Sequence, residues 1–431
     1  MKSPGGNAGA FVLALTPTEV LTKFNPFIPN GIAFSGMFIG RSDEIALIEQ
    51  ALFQTKNGNP QHLLLTGERG IGKSSLLYFA DLVARGELDA IDIKFNFLTI
   101  STDLAGIASQ VGIIRQVARE LRSKLRTHEA LQDKAKKLWE FLSNWEVLGV
   151  KYHGREAELD PDELLDELVR IIGDVIEQDA FDGVVILLDE ADHPPVTANL
   201  GEFAKIFTER LAKRGQSRAL LILAGQSAIV GKLRESHASS LRVFQIIEMR
   251  PLELSERKEV VQRGLSMANE KNDVKTGIED AALALIASLS EGYPHFVQQF
   301  SFSAFQSDAN NLIEESDVQE GAFSENGAII QLGTKYFSEM YFSKIASPDY
   351  RKVLDYMADH GDSWVSRKDI VDNCAVVASN IDNALMALKS REIILQDDAR
   401  RGFYRLPTRS FATWILAVGR SGNDDLFGDL V

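Results

Sequence analysis

The middle of the chain alternates between short apolar runs and longer stretches in which apolar residues recur at helical spacing. Nearly continuous apolar runs occur at residues 62–66, 95–100, 184–188, 219–224 and 243–249. Such runs, separated by amphipathic helices, indicate buried strands of a parallel sheet that is covered on both faces. The pattern therefore predicts an α/β fold between residues 38 and 250.

Different patterns flank this region. Residues 1–37 contain several prolines and glycines and are predicted to form an extended arm. After residue 250 the strand pattern stops, and residues 251–344 have the pattern of a helical unit. Residues 345–418 predict three helices and then a strand pair, which is the order of a winged helix. Residues 419–431 are acidic and rich in glycine, and we expect them to be disordered.

A complete phosphate-binding motif follows the first apolar run. Gly67-Glu68-Arg69-Gly70-Ile71-Gly72-Lys73-Ser74 satisfies the pattern G-x-x-x-x-G-K-[S/T], and Ser75 follows it. The motif lies between a predicted strand and a predicted helix, so its backbone N–H groups and the helix N-terminus would face phosphate. We expect this P-loop to bind ATP, with Lys73 on the β- and γ-phosphates and the Ser74 hydroxyl on Mg²⁺.

Two acids follow the third apolar run. Asp189 and Glu190 come directly after residues 184–188, and ligands bind at the carboxyl ends of strands in open α/β sheets. We expect Asp189 to hold Mg²⁺ and Glu190 to act as the base that orients the attacking water. Gln226 follows the next run. It is a candidate for contacting the γ-phosphate or the lytic water, or else a loop amide satisfied by backbone. These residues predict Mg²⁺-dependent hydrolysis of ATP.

Composition narrows the choice of partners. The chain has 431 residues, a net charge of −15 and one cysteine, Cys374. No stretch of about 18 uninterrupted apolar residues is present, so we expect a soluble, cytoplasmic protein with no membrane partner. The negative charge opposes general attraction of nucleic acid to the surface, because binding to phosphates depends on Lys and Arg.

Two further segments carry a family resemblance. The segment Phe38-Ile39-Gly40-Arg41-Ser42-Asp43-Glu44 is similar to an element that precedes the P-loop in STAND NTPases and in origin-recognition-type AAA+ ATPases. Gly292-Tyr293-Pro294 resembles the Gly-x-Pro element of the STAND lid. With the P-loop and the winged-helix pattern, the resemblance covers residues 25–415. It implies that Phe38, Ile39 and Arg41 bind the nucleotide and that Pro294 closes the adenine pocket.

The resemblance also raises a question about charge stabilisation in the transition state. Origin-type initiators carry a sensor arginine in the lid, whereas this chain has His295 after Pro294. In AAA+ proteins a neighbouring subunit supplies an arginine near the start of the last core strand. Arg242 lies closest to that position, and Arg234 is the second candidate. The resemblance therefore implies a homo-oligomer or another protein partner.

The predicted winged helix leaves the function open. Residues 351–409 contain ten Lys/Arg and nine Asp/Glu, and the predicted recognition helix at 378–390 has a single lysine. Basic residues at 400–405 would lie in the wing, where contacts to DNA phosphates are common. Three functions fit: a STAND-type regulatory or assembly ATPase that acts as a nucleotide switch, an initiator-like or transposition-like ATPase that oligomerises on DNA, and a scaffold that binds nucleotide without hydrolysing it. A preference for ATP over GTP is not decided.

Overall fold

The computed structural model describes most of the chain between Lys23 and Gly419. The described residues are 23–29, 31, 39–88, 93–128, 131–136, 160–343, 345, 347–391, 393–397 and 400–419. The greater part of the predicted arm, Phe38 and the predicted tail from Arg420 onwards lie outside the described residues.

The first unit is a parallel sheet between helices. Its elements are α1 (Ser42–Lys56), β1 (His62–Thr66), α2 (Lys73–Ala84), β2 (Leu98–Asp103), α3 (Gln110–Arg126), α4 (Pro161–Ile176), β3 (Val184–Asp189), α5 (Leu200–Lys213), β4 (Ala219–Gly225), α6 (Ile229–Ser236) and β5 (Phe244–Glu248). The five strands pair in parallel in the order β2-β3-β4-β1-β5. The predicted α/β fold with a P-loop is confirmed.

Alternating strand residues explain why both faces of the sheet are covered. Leu63 and Leu65 of β1 belong to the core on one face, whereas Leu64 belongs to the core on the other. The second strand begins three residues later than the predicted run of 95–100. Phe95 and Phe97 are buried, but the amide of Phe97 donates to the carbonyl of Ala84 at 2.8 Å at the end of α2. That contact fixes the segment before the strand to the helix.

The second unit is a helical lid on the carboxyl edge of the sheet. Its helices are α7 (Leu254–Lys271), α8 (Asp280–Leu289), α9 (Pro294–Ser307), α10 (Glu315–Phe323) and α11 (Ala328–Leu332). A helical extension continues from α11 through Gly333–Phe337 and Glu339–Ser343. The prediction that strands stop after residue 250 is wrong in one detail, because β6 (Gly277–Ile278) pairs in parallel with β7 (Leu312–Ile313).

The described part of the N-terminal arm packs on this lid. Phe27 is buried, and a Cβ added at Gly264 of α7 would lie 2.3 Å from its ring. The backbone amide of Ile28 donates to the Gln298 side chain of α9 at 2.9 Å. The arm therefore approaches the lid helices that face the P-loop.

The third unit contains α12 (Pro348–Ala358), β8 (Val365–Ser366), α13 (Arg367–Asn373), α14 (Ala378–Ser390), β9 (Leu395–Gln396), β10 (Phe403–Arg405) and α15 (Arg409–Trp414). The three short strands pair antiparallel in the order β8-β10-β9. The helices α12, α13 and α14 belong to the same unit. This is the arrangement of a winged helix, as predicted. Among the described helices of all three units, none is long and apolar enough to cross a membrane.

Candidate functional site

A cavity of about 490 Å³ lies between the carboxyl edge of the sheet and the lid. This volume is in the usual range for small-molecule sites. Most of the residues that the sequence predicts for the nucleotide, the metal or catalysis line it: Ile39, Arg41, Arg69, Gly70, Ile71, Gly72, Lys73, Ser74, Ser75, Asp189, Glu190, Gln226 and Pro294. Folding thus brings together residues from the segment before α1, from the loop between β1 and α2, from the carboxyl ends of β3 and β4, and from the lid.

The P-loop between β1 and α2 needs its glycines because of its backbone conformation. Gly70 and Gly72 have φ angles of 81° and 100°, in the left-handed region that side chains disfavour. Lys73 Nζ donates to the carbonyls of Gly67 and Glu68, both at 2.8 Å. Gly67, the first residue of the predicted phosphate-binding motif, does not line the cavity itself. Because neutral carbonyls hold the ammonium group, an incoming phosphate does not have to displace a carboxylate from it.

Burial affects the charge of this lysine. Desolvation lowers the pKa of Lys73, while the carboxylates of Asp192, Asp189 and Glu68 act in the opposite direction. A phosphate group in the cavity would add negative charge beside the ammonium. It would therefore favour the charged form that burial disfavours.

Arg41 supports the loop from the side. Its guanidinium is buried and donates to the Ile71 carbonyl at 2.9 Å and to Glu44 Oε1 at 3.1 Å. Desolvation lowers the pKa of Arg41, and the Glu44 carboxylate opposes that effect. Arg41 lines the cavity, but its hydrogen bonds in this structure position the P-loop.

The acidic edge of the cavity follows β3. Glu190 has a φ of 49°, a left-handed conformation that costs a non-glycine residue about 1–3 kcal/mol and occurs often at functional sites. Its backbone amide donates to Asp189 Oδ1 at 2.8 Å. Its carboxylate lies 3.1 Å from His193 Nδ1, and both side chains are 46% exposed. Glu190 is therefore accessible from the cavity and is oriented by a neighbouring imidazole.

A third acid of this edge, Asp192, binds Gln226. The Asp192 carboxylate accepts the backbone amide of Gln226 at 2.9 Å and its side-chain amide at 3.1 Å. Gln226 lines the cavity, but its N–H group points to Asp192, so its contact with phosphate or water stays a prediction. Asp192 and His193 are absent from the predicted site, although both lie in the turn directly after the two predicted acids.

The other end of the cavity is apolar. Four apolar residues contribute to it: Ile28 of the arm, Ile39, Leu252 just before α7, and Val260 of α7. This end fits an uncharged base, while the end with Lys73 fits phosphates. Ile28 and Val260 carry no signal in the sequence, because they lie far along the chain from the P-loop and resemble ordinary core residues.

Magnesium fits the polar end only together with phosphate. Among the described residues, no group of three or more His, Cys, Asp or Glu side chains could hold a metal ion. Mg²⁺ commonly takes one or two protein oxygens, with waters and substrate phosphates completing its shell. Ser74 and Asp189, which both line the cavity, would supply the protein oxygens.

The Gly-Tyr-Pro element places the lid against the P-loop. A Cβ added at Gly72 would lie 3.7 Å from Pro294 Cγ. The Tyr293 hydroxyl donates to the Glu68 carboxylate. Burial and this carboxylate both raise the pKa of Tyr293, so its hydroxyl stays protonated and remains a donor. The lid therefore contacts the loop through the residues that the resemblance singled out.

Arg242, the candidate arginine finger, lies away from the cavity. It is exposed in the short helix Ser240–Val243, just before β5, and does not line the cavity. Because β5 runs parallel to β1, its start lies at the sheet edge opposite the P-loop. Arg234, in α6, does not line the cavity either. Neither arginine contributes to the cavity of its own chain in this conformation, and action on a neighbour stays a prediction.

The parallel sheet has the P-loop fold of nucleoside triphosphatases, and the cavity lies at its P-loop. Residues 37–223 match the family model described as "AAA ATPase domain". The resemblance to AAA+ ATPases that the sequence motifs indicated is thereby confirmed. No curated protein matches the chain.

Solved structures share the fold across the three units. The Walker-type ATPase PABY2304 of Pyrococcus abyssi is 18% identical, with a TM-score of 0.53, and the match covers 88% of this chain and 96% of that one. The ORC2 protein of Aeropyrum pernix, in ADPNP–ADP complexes, is 13% identical, with a TM-score of 0.58 and coverage of 93% and 97%. At these identities the similarity establishes the fold.

Proposed function

We propose that this protein is a regulatory ATPase that binds Mg·ATP between the core and the lid, hydrolyses it, and reports the nucleotide state to its winged helix. Lys73 binds the phosphates, Ser74 and Asp189 hold Mg²⁺, and Glu190 orients the attacking water. The metal supplies charge neutralisation at the phosphates.

One loop of the lid carries this proposal. Tyr293 contacts the P-loop through Glu68. Two residues earlier, the Glu291 carboxylate accepts the backbone amides of Arg409 and Ser410, at 2.6 and 2.7 Å, at the start of α15. The same short loop thus contacts the nucleotide site at one end and the last helix of the winged-helix unit at the other.

The backbone around this loop is tightly constrained. Gly292 has a φ of 89°, and a Cβ there would lie 2.7 Å from Pro251 Cβ. The amide of Leu252, which lines the cavity, donates to the Gly292 carbonyl at 2.8 Å. When the lid moves relative to the P-loop, this constrained loop should therefore move as a unit. Its movement should then displace the start of α15, which Glu291 contacts.

Nucleotide binding is tested with Lys73→Ala. A hydrogen bond to a charged group contributes about 1.5–3 kcal/mol, so removing the ammonium should weaken Mg·ATP binding at least tenfold by calorimetry. Lys213→Ala, which removes an exposed lysine outside the cavity, is the matched control and should bind like the wild type. Equal affinity in the wild type and Lys73→Ala contradicts the proposed site. Repeating the titration with Mg·GTP determines the base preference.

The switch is tested by hydrogen exchange. The amides of Arg409 and Ser410 report directly on the Glu291 contact, so Mg·ATP should change the exchange of residues 405–415 in the wild type and not in Lys73→Ala. Glu291→Gln should still bind ATP but lose most of this change. Bound ATP with unchanged exchange in this segment would argue for a scaffold or a purely enzymatic role.

A DNA-binding ATPase is the second candidate. Lys368 and Arg401 are exposed, and neither forms an ion pair among the described residues. If DNA binds there, log affinity should fall steeply with log salt concentration. Affinity that does not depend on salt, or no binding at low salt, removes this candidate.

A further inference from the structure

Gln298 is a buried polar side chain at the apolar end of the nucleotide cavity. It lies on α9 one helical turn after Pro294, on the same face of the helix, and only 6% of the residue is exposed. Both residues line the cavity, as does Ile28 of the arm. Buried polar side chains are normally hydrogen-bonded, so the partners of Gln298 show which of its groups is left for a ligand.

The arm fixes the orientation of this amide. Gln298 Oε1 accepts the backbone N–H of Ile28 at 2.9 Å. Within a side-chain amide only the oxygen can accept from an N–H group, so the nitrogen end must point elsewhere. Turning the amide over would bring two donors together and leave the Ile28 N–H without its acceptor. The Ile28 contact therefore holds Gln298 in one orientation.

The arm itself is held in place by the lid. The backbone amide of Phe24 donates to the Asn272 side chain at 2.7 Å, and the Asn272 side chain donates back to the Phe24 carbonyl at 3.0 Å. Lys23 Nζ lies 2.6 Å from the Asp308 carboxylate. Together with the buried ring of Phe27, these contacts anchor the chain that leads to Ile28. The acceptor partner of Gln298 is thus not free to turn away.

The nitrogen end of Gln298 has no partner in the protein. Its Nε2 atom forms no hydrogen bond with any residue that the structure describes, yet it is not one of the polar atoms sealed in the core. Because the residue is otherwise buried and lines the cavity, this N–H₂ group is what Gln298 presents to a ligand there.

The position of Gln298 determines which part of a nucleotide it meets. Lys73 lies at the phosphate end of the cavity, and Gln298 lies with Ile28 at the apolar end. The ribose joins the phosphates to the base, so the edge of a purine that is farthest from the ribose reaches the arm. That edge carries N1, which is a hydrogen-bond acceptor in adenine. In guanine and hypoxanthine N1 carries a hydrogen and is a donor.

We propose that Gln298 Nε2 donates a hydrogen bond to N1 of adenine, and that the arm makes this contact selective by fixing the amide through Ile28. The inference rests on the proposed function of the cavity and names the base that it takes. A base with N1–H would bring a donor against a donor, and the amide cannot turn over without losing Ile28. Sites of this kind reject the wrong base because buried polar groups are then left unpaired.

The proposal is tested first on the wild-type protein, with nucleotides changed at single positions. By calorimetry, Mg·ITP, whose N1 carries a hydrogen, should bind roughly tenfold or more weakly than Mg·ATP. The 1-deaza analogue of ATP, which has C–H in place of N1, should be weakened to a similar degree. The 7-deaza analogue keeps N1 and should bind like ATP.

A variant then assigns the effect to Gln298. Gln298→Met keeps an unbranched side chain of similar length but has no amide, so Mg·ATP and its 1-deaza analogue should bind it with equal affinity. Comparing two nucleotides on one protein cancels any general weakening of the arm. Gln262→Met, on the exposed side of α7 and outside the cavity, is the matched control and should discriminate like the wild type.

The outcomes distinguish this inference from the proposed function. If the wild type does not bind Mg·ATP, or Lys73→Ala binds it equally well, the proposed function fails and the inference fails with it. If the wild type binds Mg·ATP and Lys73→Ala does not, the inference about Gln298 is overturned alone by either of two results. One is equal binding of ATP and its 1-deaza analogue by the wild type, and the other is undiminished discrimination between them in Gln298→Met.

Discussion

Cationic side chains occur both in the cavity and in the winged-helix unit. The groups that these side chains contact differ between the two regions. Among the described residues of the P-loop region, the hydrogen bonds of Lys73 Nζ go to main-chain carbonyls, and Arg69 lies over the Tyr336 ring. In the winged-helix unit, several arginines are paired with acids of the same unit: Arg367 with Asp382 at 2.6 Å, Arg400 with Asp397 at 2.6 Å, and Arg409 with Asp362 at 3.3 Å.

This difference shows where an anionic ligand is accepted easily. A cation held by neutral oxygens or an aromatic ring keeps its charge available, whereas a paired arginine must first give up a carboxylate. The cavity therefore suits phosphates, whereas the paired arginines of the winged-helix unit, Arg367, Arg400 and Arg409, do not offer their charge freely. For this reason we favour a nucleotide switch that acts through protein partners over a DNA-binding ATPase.

The largest expected effect concerns an unpaired cation outside the cavity. Arg242 is exposed and forms no ion pair among the described residues. If it serves the site of a neighbouring copy, ATPase activity per protomer should rise with protein concentration. Arg242→Ala should then lower the rate at high concentration roughly 10³-fold, because an arginine finger has effects of that size.

A mixing experiment tests this arrangement. Arg242→Ala combined with Glu190→Gln should restore partial activity, because some interfaces then contain an intact Arg242 and an intact Glu190. A rate that does not depend on concentration, in a protein that light scattering finds monomeric with ATP, would contradict the arrangement.

Glu190→Gln should have the next largest effect. The amide keeps the shape and the hydrogen bonding of the side chain but cannot take a proton from water. Phosphate release should fall roughly 100-fold, in line with the loss of a general base, while the Kd for Mg·ATP stays near that of the wild type. Glu202→Gln on α5, outside the cavity, serves as the control. Phosphate release at the wild-type rate would show that Glu190 is not the base.

The smallest effect tests the winged-helix side of the comparison. Asp382→Asn frees Arg367, whereas Asp372→Asn changes the net charge equally and, among the described residues, frees no cation. If pairing masks the surface, Asp382→Asn should bind duplex DNA roughly threefold more tightly than the control at low salt. The slope of log affinity against log salt should steepen by about 0.9 for one additional phosphate contact. Identical titrations of both variants would show that pairing with Asp382 does not limit DNA binding.

Local signals in the sequence were enough to predict the parts of the site that depend on one strand and the turn after it. The P-loop requires glycines at left-handed positions and a lysine at the helix start, and all of these are consecutive in the chain. Asp189 and Glu190 likewise follow directly from a buried strand that ends at a sheet edge. The parallel α/β fold follows from the same apolar runs, since each run must be covered on both faces.

The tertiary structure alone decided how these parts are joined. Ile28, Val260 and His295 line one cavity only because the arm, α7 and α9 pack over the carboxyl edge of the sheet. Asp192 binds Gln226 because β4 inserts between β3 and β1. Contacts of this kind depend on the path of the chain over hundreds of residues. An isolated isoleucine, histidine or glutamate has the same appearance in the sequence whether it packs in a core, faces solvent or, like Glu291, connects the lid to the last helix.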